Sequence, residues 1–83
     1  MLITDKRALA FLSLIKSKGI IRFETEFCAE IGLLKQNLQK IKNPKKYPSE
    51  SNSFTAEQLF KIAKAYNADM NYLYGFSEDP FRK

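Results

Sequence analysis

The sequence predicts an all-α protein, a compact domain of five short helices packed around one core. Three observations support this prediction. Apolar residues recur at helical spacing, strand-like alternation and hairpin turn signals are absent, and 83 residues provide for a single core. We therefore expect one domain over residues 1–83, with residues 77–83 forming a flexible tail.

The first helix is expected at about residues 5–18. Thr4 or Asp5 is suited to cap its start, and Gly19 is a stop signal after a basic last turn. Its apolar residues occupy positions i, i+3, i+4 and i+7 and so form one stripe: Ala8, Phe11, Leu12 and Ile15.

Two short helices are expected next, at residues 24–31 and from about 35 to 42. Gly32 lies in the tight turn between them, where glycine permits a positive φ without a Cβ clash. Cys28 lies one turn before Gly32 on the same face, where a small side chain lets the helices approach closely. Burial there would keep Cys28 an unreactive structural thiol rather than a redox sensor.

The fourth helix has the clearest start signal. It follows a long loop at residues 43–53, which contains Pro44 and Pro48. Thr55 and Gln58 have the spacing of a capping box, and Phe54 and Leu59 that of a hydrophobic staple. The remaining boundaries are marked by Asn67 at the end of this helix, Asp69 as the cap of a fifth, and Gly75 as its stop after Tyr74.

Charge is distributed unevenly along the chain. The net charge is +5, from 14 basic and 9 acidic residues. No acidic residue occurs between Ile31 and Ser49, a stretch that contains five lysines: Lys35, Lys40, Lys42, Lys45 and Lys46. Such a single-sign region attracts phosphate. On charge alone, a solvated lysine-rich loop explains it equally well.

The composition argues against several other functions. Without histidine and with a single cysteine, the chain lacks the commonest general base, the usual zinc ligand sets and any internal disulfide. We therefore expect no enzyme activity, no metal and no cofactor. No signal peptide or membrane-spanning stretch is evident, so the expected location is the cytoplasm.

The third helix sorts its side chains into two faces. At 100° per residue, Leu34, Leu38 and Ile41 group on the inner side. The opposite side carries amides and a lysine with no carboxylate: Gln36, Gln39, Lys40 and Asn43. Gln and Asn pair bidentately with adenine, and Lys reaches guanine O6 or N7. The outer face is therefore suited to the major groove of DNA.

Nearly the whole chain, from Asp5 to about Gly75, resembles the lambda-repressor-like, Cro-type helix-turn-helix family of bacterial regulators. The resemblance rests on FCAEIGL at 27–33, NLQKI at 37–41, FTAEQLFKIAKAYN at 54–67 and NYLYG at 71–75. It implies a helix-turn-helix at about 24–42 and base contacts by Lys35, Gln36 and Lys40. It also implies a backbone contact by Asn43.

The resemblance and the helix geometry together predict two groups of DNA-contacting residues. The expected base contacts are Lys35, Gln36, Gln39 and Lys40, although Lys35 also suits a phosphate. The expected phosphate contacts are Asn37, Lys42, Asn43, Lys45 and Lys46. The predicted function is a sequence-specific transcriptional regulator, of the repressor type, that binds double-stranded DNA.

Two positions depart from the pattern of the family. Glu24 begins the second helix, where the family usually has glutamine beside a phosphate. Leu34 replaces the usual polar cap of the third helix, and it either packs inward or meets a thymine methyl group. An alternative function on the same fold is an antitoxin or protein-interaction module with weak or no DNA binding.

The C-terminal region is rich in aromatic residues, namely Tyr72, Tyr74, Phe76 and Phe81. Some of them must complete the core. Any that remain on the surface would form a patch for a homodimer through the last helix, because related regulators commonly pair in this way.

Overall fold

The protein is described by a computed structural model that covers residues 1–47 and 52–83. Five helices occur in these ranges and no strand, so the all-α prediction is confirmed. They are α1 (Ile3–Ser17), α2 (Glu24–Ile31), α3 (Lys35–Lys42), α4 (Ala56–Tyr66) and α5 (Met70–Leu73). In the same ranges, none of the helices combines the length and apolarity that a membrane crossing requires.

The core lies where α1, α2, α4 and α5 meet. The predicted stripe of α1 is fully buried, as are Phe27 and Ile31 of α2, Ile62 of α4 and Leu73 of α5. Aromatic rings join these helices: Phe27 stacks on Tyr66 with centroids 6.0 Å apart and meets Phe54 edge-on at 6.4 Å. The helical periodicity of the first helix therefore identified its buried face correctly.

The first helix begins earlier than the sequence suggests. It starts at Ile3, and its cap position is Leu2, which provides no side-chain hydrogen bond. The prediction of Thr4 or Asp5 as cap is therefore wrong. Asp5 is 2% exposed, and its carboxylate accepts a hydrogen bond from the backbone N–H of Phe54 at 2.8 Å. Asp5 thus connects α1 to the segment that leads into α4.

The start of α4 agrees with the sequence prediction. Thr55 Oγ1 accepts from the Gln58 N–H at 3.1 Å, and Gln58 Oε1 accepts from the Thr55 N–H at 3.0 Å. Both members of the predicted staple, Phe54 and Leu59, are buried. The preceding loop is described only at its two ends, and Pro48 lies outside the described residues.

The predicted ends of α4 and α5 are also largely confirmed. Asn67 closes α4 in the left-handed conformation at φ 60°, and the Asp69 carboxylate caps α5 by accepting from the Asn71 N–H at 2.8 Å. The fifth helix is one residue shorter than expected, because Tyr74 is its C-terminal cap rather than its last helical residue.

Residues 77–83 differ from the loose tail that the sequence suggests. The backbone folds back along residues 67–69: the Asp69 N–H donates to the Pro80 carbonyl at 2.8 Å, and the Arg82 N–H donates to the Asn67 carbonyl at 3.0 Å. Phe81 packs on Phe11, with ring centroids 5.3 Å apart. An apolar anchor and paired backbone groups therefore attach the segment to the core.

Candidate nucleic-acid interface

The turn between α2 and α3 consists of three residues, of which only the middle one is buried. Gly32 adopts φ 70°, as predicted, and its N–H donates to the Cys28 carbonyl. The Leu33 N–H donates to the same carbonyl at 2.9 Å, and the Leu33 side chain is buried. This hydrogen-bond pattern ends α2 and turns the chain directly into α3. Leu34, the third residue, is 61% exposed.

Cys28 has the structural role that the sequence predicts. Its side chain is 4% exposed, within the core cluster that includes Ile31 and Leu38. Burial raises the pKa of the thiol, and the nearby Glu24 carboxylate acts in the same direction. The sulfur therefore stays protonated at neutral pH, which disfavours its oxidation.

The two faces of α3 separate as expected, with one correction. Leu38 and Ile41 are buried, at 0% and 3% exposure, and hold the helix on the core. Leu34 does not join them, so the prediction that it groups on the inner side is wrong. The reason is that Leu33 fills the core position at this turn, and the extended backbone at Leu34 directs its side chain outward.

The outward residues of α3 fall into an N-terminal and a C-terminal group. Lys35 and Gln36 are exposed in the first turn. Gln39 and Lys40 are half-buried nearer the end, and the eight residues of α3 span roughly 12 Å. Asn37 is set apart from both groups, because it lines a narrow cleft with residues at the start of α4, including Thr55 and Gln58.

Lys42 is engaged in an ion pair that the sequence analysis did not anticipate. Its ammonium donates to the Glu24 carboxylate, and the two side chains are only 29% and 21% exposed. The charge of Lys42 is therefore largely neutralised within the protein, which argues against the predicted phosphate contact. The same pair removes the bare negative charge that Glu24 would otherwise present to a phosphate.

Asn43 caps the C-terminus of α3. Its backbone N–H and its side-chain Nδ2 both donate to the Gln39 carbonyl, at 3.1 and 2.9 Å. Since the amide group satisfies a helix carbonyl, the side chain has a structural task in addition to any contact with DNA.

Two lysines, one on α3 and one after it, lie beside the aromatic ring of Tyr47. The Nζ atoms of Lys40 and Lys46 lie 5.9 and 5.7 Å from the centroid of the Tyr47 ring, within the range of cation–π attraction. Tyr47 thus connects a predicted base contact to a predicted phosphate contact. The sequence analysis missed its role, although a lone tyrosine directly after two lysines was a visible signal.

Four of the predicted phosphate contacts come together. An open cleft of about 450 Å³ follows the end of α3 and is lined by Met1, Lys42, Asn43, Pro44, Lys45 and Lys46. Within the described ranges, no ion pair engages Lys35, Lys45 or Lys46. The surface from the first turn of α3 to this cleft therefore presents at least three ammonium groups that are not matched by carboxylates.

Other kinds of site are not evident in the described part of the chain. Residues 1–47 and 52–83 contain no group of three or more Cys, Asp or Glu side chains placed to hold a metal ion. The chain matches no protein-family model, no curated protein and no solved structure. The feature of the described residues that bears on function is therefore the geometry and charge of this surface.

Proposed function

We propose that the chain is a sequence-specific DNA-binding protein, a transcriptional regulator in which α2, the turn at Gly32 and α3 act as a helix-turn-helix. In this proposal the outer face of α3 enters the major groove, and the lysines after α3 contact the phosphate backbone. The resemblance to the lambda-repressor-like family suggests the same mode of binding.

One observation carries the proposal: the exposed face of α3 and residues 43–47 after it form a cationic surface, and the carboxylate of Glu24 beside it is neutralised by an ion pair. Gln36 supplies an exposed amide for base edges, and Lys45 and Lys46 supply ammonium groups for phosphates. Glu24 of α2 is paired with Lys42 at the end of α3. The surface is thus suited to a polyanion.

The salt dependence of binding tests the electrostatic part. If Lys35, Lys45 and Lys46 each neutralise one phosphate, log K falls with log salt at a slope of roughly −3. Lys46→Ala should make the slope shallower by about one and weaken binding to all sequences alike. The matched control is Lys64→Ala, which removes an exposed lysine from α4 and should leave the slope unchanged. Equal effects of both changes would contradict the assignment.

Protein interaction is a second candidate function, favoured by an apolar surface near the chain ends. Ile3, Tyr74 and Phe76 are 48%, 42% and 84% exposed, and the Ile3 side chain packs over Gly75, between the two aromatic residues in sequence. Of the four C-terminal aromatic residues, Tyr72 and Phe81 pack against Phe11, which leaves Tyr74 and Phe76 as the ones on the surface.

A homodimer formed through this apolar surface should be detected by sedimentation, and Phe76→Ser should weaken it. A monomer at high micromolar concentration, both free and on DNA, would contradict the dimer. Specific pairing with a different protein, without sequence-selective DNA binding, would favour the antitoxin or interaction module instead.

A further inference from the structure

Leu34 is an exposed apolar residue at the entrance to α3. Its side chain is 61% exposed, whereas that of the adjacent Leu33 is 8% exposed. Leu33 therefore packs in the core, whereas Leu34 is exposed to solvent. The exposed one occupies the cap position of α3, where a polar side chain would accept a hydrogen bond and Leu34 makes none.

The backbone at Leu34 is fixed on both sides, so its side chain has little freedom to turn inward. On the N-terminal side, Leu33 is held by its N–H bond to the Cys28 carbonyl at 2.9 Å. On the C-terminal side, the Leu34 carbonyl accepts from the N–H groups of Asn37 and Leu38, at 3.0 and 3.1 Å. Burial of Leu34 would require these bonds to break.

The surroundings of Leu34 favour DNA over an apolar protein surface. The next two residues, Lys35 and Gln36, are exposed and polar, and no acidic residue occurs between Ile31 and Ser49. An exposed apolar side chain followed directly by a cationic and an amide residue matches the major groove at a thymine. There, one methyl group projects among hydrogen-bonding base edges and beside phosphates.

We propose that Leu34 is a specificity-determining residue that contacts the C5-methyl group of a thymine where the N-terminal end of α3 meets the major groove. The inference rests on the proposed function, because it assumes that α3 lies in that groove. It adds a preference for thymine to the hydrogen bonds expected of Gln36, and it assigns a function to the missing cap.

The test replaces single thymines by deoxyuridine, which lacks only the methyl group, in a DNA site that the purified protein selects. For the unmodified protein, one such replacement should lower affinity about threefold to fivefold, the effect of burying one methyl group. Leu34→Ala should weaken binding to the thymine site by a similar factor and should no longer distinguish thymine from deoxyuridine at that position.

Phe60→Ala is the matched control, since it removes another exposed apolar side chain, 58% exposed and located on α4. It should retain the full sensitivity to deoxyuridine, and melting curves should show that both variants fold. Two results would overturn this inference alone. One is sequence-selective DNA binding whose affinity is unchanged by every deoxyuridine replacement. The other is a Leu34→Ala variant that loses as much affinity on deoxyuridine replacement as the unmodified protein does. A folded protein with no sequence preference would overturn the proposed function as well.

Discussion

The starts of α3 and α4 differ, because a side chain caps α4 and none caps α3. Thr55 and Gln58 exchange two hydrogen bonds at the start of α4, and Phe54 is buried just before them. At the start of α3, Leu34 makes no cap bond and is exposed. Both helices bury an apolar face, so the difference lies at their ends. We infer that the start of α4 stabilises the fold, whereas α3 lacks the stabilisation of a cap at the surface that we propose binds DNA.

We expect the greatest loss of stability from a change at Asp5 of α1, whose carboxylate bonds to the Phe54 N–H just before α4. Asp5→Ala would leave the Phe54 N–H without its acceptor in a buried environment, which should cost about 1–3 kcal/mol of unfolding free energy. Asp5→Asn is the control, because it retains a side-chain oxygen that can accept the bond, and it should lose less. Chemical denaturation measures both. If both variants lose the same unfolding free energy, the hydrogen bond to the Phe54 N–H is not the source of the stabilisation.

Removal of the α4 cap should have the next largest effect. Thr55→Ala deletes the oxygen that accepts from the Gln58 N–H, and we expect a loss of about 1 kcal/mol in unfolding free energy. DNA affinity should be unchanged when measured well below the melting temperature, since the fold persists. A large loss of DNA affinity in a fully folded Thr55→Ala variant would contradict the assignment of the α4 cap to stability and of α3 to binding.

A change at the cap position of α3 should instead raise the unfolding free energy. Leu34→Ser supplies the missing cap oxygen, and we expect unfolding free energy to rise by up to about 1 kcal/mol. Affinity for selected DNA should fall at the same time, because the apolar contact is lost. A variant that is both less stable and unchanged in binding would contradict this account of Leu34.

We expect the smallest change in stability at Glu26, in the first turn of α2. Its carboxylate accepts from the backbone N–H groups of Phe23 and Arg22, at 2.8 and 2.6 Å, and these two bonds lower its pKa. Because the pKa of Glu26 is lower in the folded than in the unfolded chain, the stabilisation is present above the unfolded-state pKa and is lost as the pH falls through the folded-state pKa. Glu26→Gln should flatten this part of the stability profile in acid denaturation, and a profile as steep as that of the unmodified protein would contradict it.

The sequence was sufficient for the features that depend on nearby residues. The stripe of α1, the capping box at Thr55 and the left-handed turn at Gly32 all follow from spacings of four residues or fewer. Each is a local rule, and each is found in the structure. The capping of α1 was mispredicted, because Asp5 bonds to Phe54, 49 positions away, instead of to its own helix.

Features of the candidate site that depend on distant residues could not be predicted in this way. The pair of Glu24 and Lys42 joins positions 18 apart, and it changes the role of both charges. The exposure of Leu34 was decided by competition with Leu33 for one core position. Helical periodicity could not resolve that competition, because Leu34 lies just outside the helix to which the periodicity applies.

Selection of bound sequences from random double-stranded DNA by the purified 83-residue chain tests whether the outer face of α3 reads a DNA sequence. The account predicts that the unmodified protein enriches a defined motif, that Lys46→Ala enriches the same motif with lower yield, and that Gln36→Ala enriches a more relaxed one. A folded protein that enriches no motif would contradict the assignment of the outer face of α3 to sequence-specific DNA binding.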